Sequence, residues 1–236
     1  MTFAQQAADL FGITLTPEQA AQFDGYAQEL ADWNTRVNLT AITEPEAVRV
    51  RHFLDSLSIA SVVSLRPGMR VIDVGTGAGF PGLPLQIAFP GIHVTLMEAT
   101  GKKVQFLDHL ITRFGLTGAQ TLYARAEEAG HMSDHRGSYD LVLARAVARL
   151  PALVEYMLPL ARMNGRCIAM KGATAHEEVE SARHALTLLG GQVTTIEQVN
   201  LPGVPDDHFL VVIEKINPTP AAYPRKPGTP TRKPLD

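Results

Sequence analysis

Val71-Ile72-Asp73-Val74-Gly75-Thr76-Gly77-Ala78-Gly79-Phe80-Pro81-Gly82 is the most informative stretch of this 236-residue chain. A run of strand character ends at Val74, three alternating glycines follow, and Pro81 suits the first turn of a helix. Glycine lacks the Cβ that bars most residues from positive φ, so the stretch predicts a tight turn whose backbone a ligand can approach. Outward from it, short Val- and Ile-rich runs alternate with helix-like stretches, the pattern of a parallel sheet with crossover helices. Strands are expected near 70–74, 92–97, 120–123, 139–144, 166–170, 192–199 and 209–214. Helices are expected near 81–88, 101–114, 126–129, 150–161 and 175–189. No helix separates the last two strands, which predicts an antiparallel edge hairpin. The fold class is α/β, with a seven-stranded, mostly parallel sheet.

Upstream, Thr16, Pro17 and Gln19 supply an N-cap, a first-turn proline and a capping-box partner. Phe23, Tyr26, Ala27, Leu30 and Trp33 then recur at helical spacing, predicting a helix over 17–33 with Trp33 as a core anchor. A second helix is expected over 45–63. At 100° per residue Val50, Phe53, Leu54 and Leu57 share one face, while Arg49, His52, Asp55 and Ser56 share the other. At the opposite end, residues 217–236 hold six prolines together with Arg225, Lys226, Arg232 and Lys233. Such a segment adds no strand or helix to a core and should be extended. The chain divides into a helical extension over 1–64 packing on the core, a sheet domain over 65–216 and a Pro-rich basic tail over 217–236.

With 45% hydrophobic and 19% charged residues, the composition is that of one soluble globular domain with appendages. Cys167 is the only cysteine, which excludes an intramolecular disulfide and a multi-cysteine zinc site; no metal is expected. No leader sequence and no run of about 18 apolar residues is found, so a cytoplasmic, membrane-free protein is expected. The net charge of −3 argues against a nucleic-acid partner until it is localised. Residues 1–47 carry −6, residues 48–171 carry +5 and residues 172–236 carry −2. The middle of the chain is basic and its beginning acidic.

The turn reads D-x-G-x-G-x-G. No Gly-Lys-Ser/Thr follows, which excludes a P-loop. Phe80 occupies the position of the third glycine in the dinucleotide fingerprint G-x-G-x-x-G. The leading acid and tighter spacing resemble motif I of Rossmann-like S-adenosylmethionine (SAM) methyltransferases, which places Asp73, Gly75, Gly77, Gly79 and Phe80 around the donor. Glu98 ends the second strand, where a carboxylate can accept from ribose hydroxyls of NAD or SAM alike, or cap the following helix. Arg125, Ala126, Glu127 and Glu128 follow the third strand, where an adenine would lie, and Arg145 and Arg149 follow the fourth.

Absent residues narrow the chemistry. There is no Tyr-x-x-x-Lys pair, no H-E-x-x-H and no G-x-S-x-G elbow. Also missing are the Asn/Asp-Pro-Pro-aromatic tetrad of base-amine methylation and a cysteine after proline for pyrimidine C5; Cys167 reads as a buried small residue. An acceptor that is nucleophilic while neutral fits what remains, and guanine N7 has that property.

Beyond the glycine turn, a wider set of residues resembles the RsmG (GidB) family, the bacterial ribosomal RNA small subunit methyltransferases G. It comprises Trp33-Asn34, Asn38-Leu39-Thr40, Arg51-His52, Asp55-Ser56, Gly101-Lys102-Lys103, Phe106-Leu107, Arg145-Ala146, Lys171-Gly172 and Tyr223-Pro-Arg-Lys226 with Gly228-Thr-Pro230. The resemblance implies a class I SAM-dependent fold and N7 methylation of guanine 527 in 16S ribosomal RNA, with SAM as donor and the RNA or small subunit as partner of a monomer. It implies donor contacts at Gly75, Phe80, Ala126, Glu127 and Arg145, with Glu98 at the ribose. Asn38, His52, Asp55, Arg145 and Lys171 are the candidates around the guanine, as orienters or phosphate holders. For His52 and Asp55 the alternative is a solvated helix face, for Lys171 a snorkelling side chain, and for the tail a disordered end rather than an RNA clamp. Two other functions stay open: a nicotinamide oxidoreductase, and a non-catalytic RNA-binding assembly factor.

Overall fold

A computed structural model describes residues 1–235. Thr2 and Thr16 start α1 (Phe3–Phe11) and α2 (Pro17–Asn34), each through a capping box with the glutamine three residues on. The first of these helices was not expected, although Thr2 and Gln5 carry its signature. The helix expected over 45–63 is four pieces: α3 (Pro45–Val48), a π-helical turn (Arg49–Leu54), α4 (Asp55–Leu57) and a 3₁₀ turn (Ser58–Ser61). A π turn is wider than an α turn, so the 100° wheel loses its phase here. Its supposed solvated face is closed: His52, Asp55 and Ser56 are 7%, 4% and 0% exposed.

The alternation follows: β1 (Arg70–Val74), α5 (Gly82–Ala88), β2 (His93–Glu98), α6 (Gly101–Phe114), β3 (Ala119–Tyr123), α7 (Ala126–Ala129), β4 (Tyr139–Arg145) and α8 (Leu150–Met157). Then come β5 (Ala161–Lys171), α9 (Ala175–Ser181), α10 (Arg183–Leu189), β6 (Gly191–Val199), β7 (His208–Lys215) and α11 (Thr229–Arg232). The helix expected to reach 161 stops at Met157, because Ala161 is drawn into the sheet opposite Tyr139. The helix expected over 175–189 breaks at Ala182, beside the Ser181 hydroxyl that bonds back to the Glu178 carbonyl. No helix among the described residues is long and apolar enough to cross a membrane.

Seven strands form one sheet in the order β3-β2-β1-β4-β5-β7-β6. The first five are parallel; β7 runs antiparallel between β5 and β6, which gives the anticipated edge hairpin. This is a Rossmann-like α/β sheet. Alternate strand residues feed two cores: Val71, Leu141, Leu143 and Ile168 pack with Phe23, Tyr26, Phe53 and Phe106 on one face. Ile72, Val142, Ala144 and Cys167 pack with Leu153, Met157 and Leu189 on the other. The N-terminal helices therefore share a core with the sheet. Cys167 is fully buried, which pushes its thiol up to about 12.

The tail departs from expectation. It forms one helical turn, α11, and docks, with Pro224 and Pro230 buried. Arg225 is not free for RNA, since it is paired with the fully buried Glu155 at 2.6 Å.

Candidate active site

The chain runs outward through β1, β2 and β3 and returns to β4 on the other side of β1, so the loops after β1 and β4 diverge. Open α/β sheets bind ligands at such a switch point. Asp73 is buried beneath the first of these loops. Its Oδ2 accepts from the Thr76 hydroxyl at 2.6 Å and from the Gly82 amide at 2.8 Å, which ties the two ends of the glycine turn together. Burial pushes this carboxyl up to about 6, against the pull of those two bonds.

Gly75, Gly77 and Gly79 have φ of +66°, +60° and +101°. A Cβ on Gly79 would lie 2.5 Å from the Tyr26 hydroxyl, whereas one on Gly77 would meet only a carbonyl oxygen at 4.0 Å. Gly79 thus serves packing against α2, and Gly77 leaves open space. Glu98 Oε2 accepts from the Gly77 amide at 3.0 Å and Oε1 from the Thr100 amide at 2.8 Å. The carboxylate both steadies the turn and satisfies the start of α6.

A cavity of about 270 Å³ lies over this turn, bounded by Gly75, Glu98, Ala126, Glu127, Val147 and Gly228. It fits a nucleoside: a carboxylate ends β2, the backbone at Gly77 is unobstructed, and Val74, Met97 and Val147 give apolar surface.

A second cavity of about 540 Å³ lies beyond the end of β4, among Arg51, His52, Asp55, Arg145, Lys171 and His208. The segment after β4 separates the two spaces: Arg145 and Ala146 face the larger, Val147 the smaller. Ala146 has φ +56°, a strained conformation for a residue with a Cβ, of the kind found at functional sites.

Arg145 organises the larger cavity. Nη1 donates to Asp55 Oδ2 at 2.9 Å and to the Arg51 carbonyl at 3.0 Å, and the guanidinium lies 5.0 Å from the Phe80 ring centroid. Asp55 Oδ1 is 3.3 Å from His208 Nδ1, and that hydrogen bond raises the His208 pKa above the ordinary histidine value. The His52 ring stacks on Phe80 at 4.5 Å, with Nε2 2.9 Å from the Thr40 hydroxyl. Burial, reinforced by the Arg145 charge, pushes His52 down to about 4, so the ring is neutral near pH 7. In a neutral ring Nδ1 either donates to the Arg51 carbonyl at 3.1 Å or accepts from Arg145 at 3.2 Å. Lys171 Nζ lies 2.8 Å from Glu178 and donates to the Ala148 carbonyl at 2.6 Å. It is a buried clamp on the segment after β4, not a snorkelling lysine.

The structure sorts the expected residues. Gly75, Glu98, Ala126 and Glu127 line the smaller cavity, with Gly77 half-buried in the turn beside it. Asp73, Gly79 and Phe80 lie underneath: Phe80 is 4% exposed, between His52 and Tyr26. Arg145, expected at both donor and guanine, faces the larger cavity with His52, Asp55 and Lys171. Asn38 lies outside both cavities and is exposed; its neighbour Asn34 instead bonds the Leu39 and Thr40 amides and fixes the loop that carries Thr40. Sequence reading missed His208, Glu178 and Tyr156 and the tail residues Gly228 and Thr231 at the cavities. Only the motif around Gly228 carried a signal, through the family resemblance.

Residues 19–208 match the profile of the GidB family, described as rRNA small subunit methyltransferase G. A ribosomal RNA small subunit methyltransferase G of Roseiflexus castenholzii is 50% identical over 228 residues, 97% of each chain. That of Halalkalibacterium halodurans is 46% identical over 235 residues, covering all of this chain and 99% of the relative. Among solved structures, a SAM-dependent methyltransferase from Aquifex aeolicus superposes with a TM-score of 0.54 over 73% of this chain and 94% of its own, at 17% identity, a likeness of fold. Sheet order, glycine turn and full-length similarity agree: the chain belongs to the GidB family of rRNA small subunit methyltransferases G.

Proposed function

We propose that this chain transfers the methyl group of SAM to N7 of a guanine in 16S ribosomal RNA, position 527 by the family resemblance. The smaller cavity would hold the donor and the larger one the guanine. The observation that carries this reading is the pair of cavities that meet at the segment after β4, a nucleoside-sized one over the glycine turn and a larger one whose carboxylates are already engaged. Asp55 is bonded by Arg145 and His208, Glu178 by Lys171, Asp206 by Arg51, and Asp207 by Gln198. His52 is engaged by Thr40 and by Arg51 or Arg145. The carboxylates and His52 are thus engaged; His208 keeps its Nε2 outside the Asp55 bond, but N7 calls on no base because its lone pair is free.

Bound SAM supplies a methyl group made electrophilic by its sulfonium. The chain's own residues do the placing. Glu98 has a free lone pair on each oxygen for ribose hydroxyls while it holds the Gly77 and Thr100 amides, the Gly77 backbone admits the ligand closely, and Ala126 and Glu127 border the adenine. Arg145 is held by Asp55 and by the Phe80 face at the boundary of the two cavities, where it can orient the base. Placement of this kind contributes several kcal/mol by converting an encounter into an aligned contact. Methylation leaves a cation on the base, and Asp207, bonded among the described residues only by the neutral Gln198 amide, lies at the same cavity to offset it.

The test is transfer of tritium from labelled SAM into small-subunit RNA, followed by nucleoside analysis. Label in 7-methylguanosine is expected; label in another nucleoside, or none in RNA, overturns the reading.

A further inference from the structure

The tail closes the donor cavity from a side the glycine turn does not reach. Arg136 anchors its start, donating to the carbonyls of Thr219, Pro220 and Tyr223 at 2.7 to 3.1 Å. Pro224 then packs on Gly130 so closely that a Cβ there would lie 2.5 Å from its ring. Next, Arg225 meets Glu155 through three donors: its amide at 2.6 Å, Nε at 3.0 Å and Nη2 at 2.6 Å. Its Nη2 also bonds the Lys233 carbonyl at 2.8 Å, which closes residues 225–233 into a loop. The inner edge of this loop bonds Glu127 through the Gly228 amide at 2.8 Å, and Gly228 and Thr231 line the cavity with Glu98 and Gly75.

We infer that residues 225–233 form a wall of the donor site and that the Arg225–Glu155 pair holds it in place, so that two residues touching no ligand set donor affinity. The inference rests on the reading of the smaller cavity as the SAM site. Glu155 is fully buried in α8 and has Arg225 as its only side-chain partner among the described residues. Without the guanidinium, a buried carboxylate is left unpaired and the loop loses its anchor. The donor site is then complete in only a fraction of molecules, and the apparent dissociation constant rises by the reciprocal of that fraction. Arg225 and Glu155 are positioning residues on this account.

The test is calorimetric titration of S-adenosylhomocysteine into the full chain, with trypsin cleavage after Arg232 as a measure of tail docking, since proline follows Lys226 and Lys233 and blocks trypsin there. Arg225→Gln should weaken binding at least about tenfold and speed cleavage, and S-adenosylhomocysteine should slow cleavage of the wild type. Arg225→Gln combined with Glu155→Gln removes the buried charge and should recover part of the affinity. Thr231→Trp leaves the ion pair intact and crowds the cavity; it should weaken binding even if Arg225→Gln fails to fold. Unchanged affinity in a folded Arg225→Gln with a released tail, or in Thr231→Trp, overturns the inference. Failure of the wild type to bind S-adenosylhomocysteine at all overturns the donor-site reading instead.

Discussion

Arg145, at the end of β4, donates a 2.9 Å hydrogen bond to Asp55, ninety residues earlier in the chain. Both are largely removed from water, at 17% and 6% side-chain exposure, and without Arg145 the Asp55 carboxylate keeps only His208 as a side-chain partner among the described residues. This pair ties the N-terminal helices to the sheet at the edge of the larger cavity. Arg145→Gln should cost about 2 kcal/mol of unfolding free energy, since Asp55 loses its arginine and keeps only the hydrogen bond from His208. Adding Asp55→Asn should recover most of that loss in urea unfolding while methyl transfer stays abolished; a stable and fully active double variant would discredit the role given to Arg145.

The glycines of the turn should differ in what they tolerate. At Gly79 an added methyl collides with Tyr26 and the backbone is at φ +101°, so Gly79→Ala should destabilise by about 3 kcal/mol or more. At Gly77 the space is open and only the φ of +60° is penalised, so Gly77→Ala should cost about 1 kcal/mol. Thermal melts of the two variants side by side check the order.

Removal of the Glu98 carboxylate takes an acceptor from two backbone amides and, on the proposed function, from the donor's ribose. Glu98→Ala should raise the dissociation constant for S-adenosylhomocysteine by roughly 10- to 100-fold and lower the melting temperature. Glu98→Gln keeps one acceptor oxygen and should lie between Glu98→Ala and the wild type. Calorimetry on the three proteins decides; equal affinities would remove Glu98 from the donor site.

His52 gives a pH signature. Its ring stays neutral in the folded protein down to about 4 but takes up a proton near 6.5 once unfolded. Between those values the unfolded state binds more protons, so stability falls as pH falls through the window. By about pH 5 the loss from this group is on the order of 2 kcal/mol. His52→Gln should therefore narrow its stability gap to the wild type between pH 7.5 and 5, measured by denaturant midpoints. Asp73, raised to about 6, works in the opposite sense but is common to both proteins and cancels in the comparison.

Lys226, Arg232 and Lys233 are exposed on the docked tail and have no salt-bridge partner among the described residues. Changing all three to alanine should weaken binding of small-subunit RNA and flatten its salt dependence, by about 0.7 to 0.9 in the log-log slope for each phosphate that is no longer neutralised. Filter binding across a salt series measures this. An unchanged slope would leave the tail with its structural part alone.

Several features were legible because their causes are local. Alternating Val and Ile runs, glycines that only a turn explains, and threonine caps before helical spacing specify strands, turns and helices through nearest neighbours. They gave the sheet, its parallel strands and the glycine turn, with Glu98 at the end of the next strand. The wheel for 45–63 failed because a π turn is chosen by what packs on both sides of it, the Phe80 ring and the β4 arginine, and nothing in Arg49–Leu54 announces that choice. The exposed place of Asn38 has the same origin, since Asn34 already supplies the loop's side-chain bonds.

By itself the sequence determined the α/β architecture, the place of the glycine turn and the family. Tertiary structure alone decided which charges meet. It buried His52 and Asp55 against Arg145, turned Lys171 into a clamp for the segment after β4, and used Arg225 to dock the tail on Glu155. Backbone propensity is set within a few residues, whereas the partner of a buried charge is set by desolvation, which only the folded chain imposes.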